Sequence, residues 1–148
     1  MKFVIQRVKK SSVKVDNKIV GKIEHGYNVL IGIVKDDTEE IANKMVRKLI
    51  NLRIFNDEND KMNLNIKQVD GEILAISQFT LCANMKDGNR PSFINAGRPE
   101  MSEPLYEYIV EKLKKEVKNV ETGVFGAHMD VDIQNDGPVT IILDSNEI

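Results

Sequence analysis

The sequence predicts a mixed α/β fold. Three observations carry that prediction. Apolar residues alternate at period two through most of the first 34 residues and again from Met129 to Leu143. Two amphipathic stripes at helical spacing begin near Asp37 and Ser102. Gly, Asp and Asn turn signals separate these runs. At 148 residues, one domain spanning 1–148 is the natural count, and the chain can bury a real core.

In the first strand Phe3, Ile5 and Arg7 share one face and Val4, Gln6 and Val8 the other. Both faces are largely apolar, which predicts a central strand. Arg7 then admits two readings. It sits at the strand end with its head in water, or it is a partly buried guanidinium holding a carbonyl or carboxylate. Val13 and Val15 predict a short strand, Asp16-Asn17 a turn, and Ile19 to Ile23 the return. Gly26 closes a second turn, and Val29, Ile31 and Ile33 form another strand, so the opening reads as a β-meander. Asp37 begins a helix with Glu40 three residues on, as in a capping box. Its stripe is Ile41, Ala42, Met45, Val46, Leu49 and Ile50, with Arg47 and Lys48 in the last turns, where cations suit the dipole.

Leu52 to Phe55 reads as extended and Asn56 to Asn65 as a polar surface loop, without the glycine and terminal glutamate of a calcium loop. Asp70-Gly71 is a turn, and Glu72 to Ile76 a strand that runs into Ser77-Gln78-Phe79-Thr80-Leu81. Cys82 to Arg98 is a long loop with Lys86, Arg90 and Arg98, and its aromatic is Phe93; such a loop is solvated, or meets phosphates and a base. Ser102 caps a second helix with Pro104 in its first turn and a stripe of Tyr106, Ile109, Val110, Leu113 and Val117. Lys112, Lys114, Lys115 and Lys118 toward its end are the densest positive patch in the chain. In Thr122 to Ala127, two glycines around a small apolar pair let backbones approach closely.

Composition narrows the function. A formal charge of −2 gives no global pull toward nucleic acid, so any RNA partner must meet a local patch. One cysteine, Cys82, gives no disulfide framework, and His25 and His128 lack metal-ligand spacing. No apolar run approaches the roughly 20 residues of a membrane span. The N-terminus meets a charge too soon for a signal peptide, and a reducing, cytoplasmic setting follows. No P-loop, dinucleotide fingerprint or paired-carboxylate motif is present.

Two stretches carry the candidate chemistry. Ser77, Gln78 and Thr80 place polar side chains where an apolar strand ends; they are a strand leaving the core, or a site. Thr80, Ser77 and Cys82 are the possible nucleophiles, and none has a base in a local motif. A site here would rest on backbone dipoles and neutral side chains. The second stretch, Asn135-Asp136-Gly137-Pro138-Val139-Thr140, also reads two ways. Asp-Gly between alternating hydrophobics is a hairpin signal. Proline after the glycine points to a rigid kink that presents carbonyls, because Pro138 has no N–H and Gly137 takes angles barred to other residues.

Together, Ser77-Gln78-Phe79-Thr80-Leu81 and Asn135-Asp136-Gly137-Pro138-Val139-Thr140 resemble the motif pair of the D-aminoacyl-tRNA deacylases. Val4-Ile5-Gln6-Arg7-Val8, Leu52-Arg53-Ile54-Phe55, Gly88 to Phe93, Leu105-Tyr106 and Gly123-Val124-Phe125-Gly126-Ala127 agree in order; His128 stands where an acidic residue is more usual. The resemblance implies a homodimer with a compact, β-rich, barrel-like core and two helices packed outside. It implies hydrolysis of the ester joining a D-amino acid to the 3′ end of tRNA, without metal or cofactor. It makes Gly137-Pro138 a cis bond, braced by Arg7, that reaches into the partner subunit's site. There its carbonyls face the α-amino group and an L side chain collides, while glycine is not excluded, so glycyl-tRNA is also a substrate. It assigns the catalytic stretch to Ser77, Gln78, Phe79 and Thr80. Backbone N–H groups around Phe79 and Thr80 hold the oxyanion, Phe79 shapes the pocket for the terminal adenosine, and the 2′-hydroxyl assists the attack. Two rival readings are a non-catalytic RNA-binding module and a hydrolase of free D-amino-acid esters or peptides.

Overall fold

The chain runs β1 (Lys2–Val15), β2 (Lys18–Ile23), β3 (Gly26–Gly32), α1 (Glu39–Asn51), β4 (Phe55–Asn56), β5 (Met62–Leu64), β6 (Glu72–Ser77), a 3-10 turn (Phe79–Cys82), α2 (Pro99–Glu116), β7 (Val120–Thr122) and β8 (Asp130–Asp144), in a computed structural model that describes residues 1–148. β1 is central, as its two apolar faces predict. It pairs with β2 and β3, and with β8.

The expected meander is instead one long bent hairpin. Ser11 pairs with Ile23 and Val8 with Gly26 in the same register, so β2 and β3 follow one another along β1. Asp16 and Asn17 turn the hairpin with φ of 49° and 62°, the left-handed pair that a two-residue turn requires. The chain breaks at Glu24-His25 because β6 begins there. The Glu24 N–H donates to Glu72 Oε2 at 2.7 Å and the Glu72 N–H to the His25 carbonyl at 2.9 Å. β6 then runs parallel to β3, and β7 parallel to β6. At Gly21 of β2 an added Cβ would lie 2.5 Å from the Thr122 carbonyl oxygen of β7. The two ends of the sheet therefore meet, and the mixed sheet forms a nearly closed barrel.

The larger core lies between the sheet and the two helices, with Phe3, Ile5, Tyr27, Met45, Leu49, Ile109 and Leu113 among its buried side chains. A smaller cluster of Val8, Val13, Ile23, Leu74 and Ile76 fills the other side. α1 begins two residues later than expected. Thr38, not Asp37, is its N-cap, and its hydroxyl oxygen accepts from the Ile41 N–H at 3.3 Å. Asp37 is buried instead, accepting from the Val34 N–H at 2.7 Å and the Met1 ammonium at 2.8 Å. α2 begins earlier than Ser102. Pro99 takes its first position, where a missing N–H costs nothing, and Ser102 donates back to the Arg98 carbonyl at 3.0 Å from inside the helix. The 56–65 segment carries the short β4–β5 hairpin.

The two strand-like runs near the C-terminus are one strand, so the hairpin reading of 135–140 does not hold. β8 continues through the kink because both runs pair with β1. Gln6 pairs with Thr140 and Val8 with Asn135. Arg7 alone therefore faces four residues, Asp136 to Val139, which bulge out of the ladder.

Candidate active site

β3 and β6 run parallel, and their carboxyl ends open side by side. That is where crevices form in parallel sheets. A cavity of about 480 Å³ lies there, within the range of small-ligand sites. Ile31 and Ile76 are part of its apolar wall, Pro99 brings the start of α2, and Phe125 and Met129 close it from the segment before β8. Ser77, Gln78 and His128 supply its more polar side, and Phe79 also lines it.

The strand does not run on through Phe79; it ends at Ser77 and turns into the 3-10 turn. The turn can sit this close because residue 32 is glycine, where an added Cβ would lie 2.8 Å from the Leu81 Cβ. Phe79 is 55% exposed, its ring edge-on to Phe93 at 5.0 Å. The backbone N–H groups of Phe79 and Thr80 stand first in the turn, where the turn itself offers them no acceptor. Two adjacent donors beside an apolar cavity can hold a developing oxyanion.

No hydroxyl or thiol here has an evident base. The Thr80 hydroxyl oxygen accepts from the Gln78 amide, no imidazole or carboxylate bonds it, and Thr80 does not line the cavity. Burial raises the Cys82 thiol above its ordinary pKa, and Sγ lies 3.4 Å from the Ile33 carbonyl. A protonated, buried thiol is not a nucleophile. No three His, Cys, Asp or Glu side chains converge as a metal site would require.

The kink is held from both sides. Arg7 is 7% exposed, so the buried reading of this residue is the one observed. Its Nε donates to the Asp136 carbonyl at 3.1 Å, and its Nη1 to the Ile54 carbonyl at 2.7 Å and Asn56 Oδ1 at 2.9 Å. Asp136 Oδ2 lies 3.4 Å from Nε. Asn135 clamps the base of the bulge: its Oδ1 accepts from the Val139 N–H at 2.8 Å and its Nδ2 donates to the Thr140 hydroxyl oxygen at 3.1 Å. Gly137 has φ +132°, a region L residues rarely enter, and the Gly137-Pro138 bond is cis. Both residues are exposed.

Within one chain the two stretches do not meet. From the kink the row runs across β1 at Arg7, β3 at Tyr27 and β6 at Ile73, about 14 Å at the usual strand spacing. Ser77 lies a further four residues along β6. Arg7 reaches the Gly137-Pro138 kink through the Asp136 carbonyl, whereas Ser77, Gln78 and Phe79 line the cavity at the carboxyl end of β6. His128 and Phe125 were missed as cavity residues. The signal was the glycine-containing 122–127 segment, which permits the close approach without saying what it approaches.

A family model described as D-Tyr-tRNA(Tyr) deacylase matches residues 4–144. A D-aminoacyl-tRNA deacylase of Clostridium acetobutylicum is 56% identical over 148 residues, covering 100% of this chain and 99% of that protein. One of Aquifex aeolicus is also 56% identical over 148 residues, covering all of both. Among solved structures, the c-Myc DNA Unwinding Element Binding Protein superposes with a TM-score of 0.93 at 43% identity, over 97% of this chain and 98% of that one. A probable eukaryotic D-amino acid tRNA deacylase superposes at 0.82 with 17% identity, over 96% and 97%, which bears on the fold alone.

Proposed function

The chain belongs to the D-Tyr-tRNA(Tyr) deacylase family, and from that premise we propose how its residues hydrolyse the ester between a D-amino acid and the 3′ end of tRNA. The observation that supports the reading most is the pair of N–H groups at the start of the turn, at Phe79, which lines the apolar cavity, and at Thr80, the next residue. The terminal adenosine enters the cavity against Phe79. The ester carbonyl points at the two N–H groups, which stabilise the negative charge that develops as water adds to the carbonyl carbon. The 2′-hydroxyl of the ribose relays the proton, the ester C–O bond breaks, and the 3′-oxygen leaves protonated. Ser77 and Gln78 shape the entrance, and Gln78 orients the Thr80 hydroxyl.

Chirality is read by Asp136-Gly137-Pro138 of a second copy in a homodimer. Two features support this: Gly137 and Pro138 are exposed although the segment is tightly clamped, and it lies far from the cavity of its own chain. Its carbonyls accept from the substrate ammonium and occupy the space an L side chain needs. A D side chain projects away, and glycine has none, so D-aminoacyl-tRNA and glycyl-tRNA are both cleaved. In this reading each copy is one domain spanning residues 1–148, and two copies carry out the proofreading step in the cytoplasm.

The test is release of D-amino acid from D-aminoacyl-tRNA by purified protein, run beside Thr80→Ala. We expect the wild type to be active and the variant to retain activity to within about tenfold, because no base accompanies the hydroxyl. Complete loss in a folded variant would make Thr80 the nucleophile. Wild-type inactivity on every D-aminoacyl-tRNA would remove the deacylase reading.

A further inference from the structure

We propose that the groove between α1 and α2 is a second RNA contact, a cradle for the duplex phosphates of the tRNA acceptor stem; this rests on the deacylase reading above. The groove has a volume of about 350 Å³ and is lined by Arg47 from α1, Lys112 and Lys115 from α2, and the Lys67–Glu116 pair. Three chain segments therefore converge four cations and one carboxylate, in a protein whose formal charge is −2.

Pairing ranks the cations by how free they are, though exposed pairs hold only weakly. The sequence marks Lys112, Lys114, Lys115 and Lys118 as one patch, but the structure divides them. Lys114 lies 2.9 Å from Glu111, and Lys118 lies 3.9 Å from Asp70. Arg47, Lys112 and Lys115 pair with no carboxylate. Lys112 is also positioned: its Nζ lies 5.0 Å over the Tyr108 ring, and the Tyr108 hydroxyl accepts from Asn43 Nδ2 at 2.9 Å. A cation resting on a ring keeps its N–H groups free for a phosphate.

Position supports the partner. Pro99 and Ser102 at the start of α2 line the cavity. Lys112 and Lys115 lie on the same helix, about 15–24 Å further along at 1.5 Å per residue. A tRNA ends in four unpaired nucleotides, spanning about 14 Å if stacked at ~3.4 Å each. The first duplex phosphates thus fall in range of the groove when the terminal adenosine is in the cavity. Duplex RNA is recognised largely through backbone and shape, which a groove of unpaired cations suits.

The experiment compares two substrates, full D-aminoacyl-tRNA and a short 3′-terminal oligonucleotide carrying the same D-aminoacyl ester. The proteins are the wild type, Arg47→Gln/Lys112→Gln/Lys115→Gln, and Lys10→Gln/Lys14→Gln/Lys22→Gln, which removes the cations of another surface pocket. The groove variant is expected to lose roughly tenfold or more in kcat/KM on tRNA, through KM, at low salt. The slope of log affinity against log salt should fall by about 2, at ~0.7–0.9 per lost phosphate contact. On the oligonucleotide it should match the wild type within about twofold. An equal loss on both substrates, no loss on tRNA, or a loss confined to the Lys10, Lys14 and Lys22 variant would overturn the proposal. Wild-type inactivity on both substrates would overturn the deacylase reading and take this surface with it.

Discussion

Arg7→Met is expected to lose about 1–3 kcal/mol of stability, the usual cost of leaving a buried acceptor unsatisfied, and at least about 100-fold in deacylation, or ~2.7 kcal/mol of transition-state binding. The guanidinium joins three acceptors that nothing else in the chain brings together: the Ile54 carbonyl, Asn56 Oδ1 and the Asp136 carbonyl. Methionine fills similar space but donates nothing. Ile54 is 6% exposed, so its carbonyl loses its partner where water cannot replace it. The Asp136 end is freed, and the four-residue bulge loses its inner brace. Lysine keeps the charge but not the fork, so Arg7→Lys should fall between. Urea melts give the stability, and D-aminoacyl-tRNA hydrolysis at a temperature where the variant is folded gives the activity. A destabilised variant with unchanged turnover and unchanged chiral selectivity would reduce Arg7 to a structural role.

Gly137→Ala should match that loss of activity at no greater cost in stability. The residue sits at φ +132°, and an added Cβ would lie 2.8 Å from Val139 Cγ2 and 3.1 Å from Arg7 Nη2. Strain of this kind costs about 1–3 kcal/mol, and the bulge must shift to relieve it. We expect kcat/KM to fall about 100-fold or more, because in the proposed mechanism the bulge carries the carbonyls that meet the substrate. Gly88→Ala is the matched control. Gly88 has φ +133° with nothing within 4 Å of an added Cβ, so it carries the backbone cost without the contacts. If the site is shared across a homodimer as proposed, mixing the Gly137→Ala protein with Phe79→Ala should restore activity, since one site of the mixed dimer then holds both native parts. Equal effects at Gly88 and Gly137, or no restoration on mixing, would remove the kink from the site.

How far these features were legible follows from how local they are. The face that Phe3, Ile5 and Arg7 share is set by period two, and all three are buried as that pattern implies. The helical stripes found their faces for the same reason, while both helix starts moved. Asp37 was taken by the Met1 ammonium and the Val34 N–H, and Pro99 fitted the first position of α2 better than Ser102 fitted a cap. The meander failed because alternation fixes faces, not neighbours. That β2 and β3 share one partner depends on β6 arriving at Gly26, some 45 residues later. The cavity was least visible. Ile31, Ile76, Pro99 and His128 come from four separate segments, and no spacing links them. The kink was visible as Gly137-Pro138. Its continuity within one strand was not, because both a hairpin and a bulge place alternating apolar residues on either side.

The central claim is that the clamped Asp136-Gly137-Pro138 segment selects the configuration of the amino acid. The most direct measurement takes one tRNA charged in turn with a D-amino acid, its L enantiomer and glycine. The purified wild-type protein is assayed on each under single-turnover conditions. The account predicts rapid release of the D-amino acid, measurable release of glycine, and L release slower than D by at least about 100-fold, some 2.7 kcal/mol of discrimination. Hydrolysis of the D and L esters at similar rates, with both cleaved well above the spontaneous rate, would contradict it.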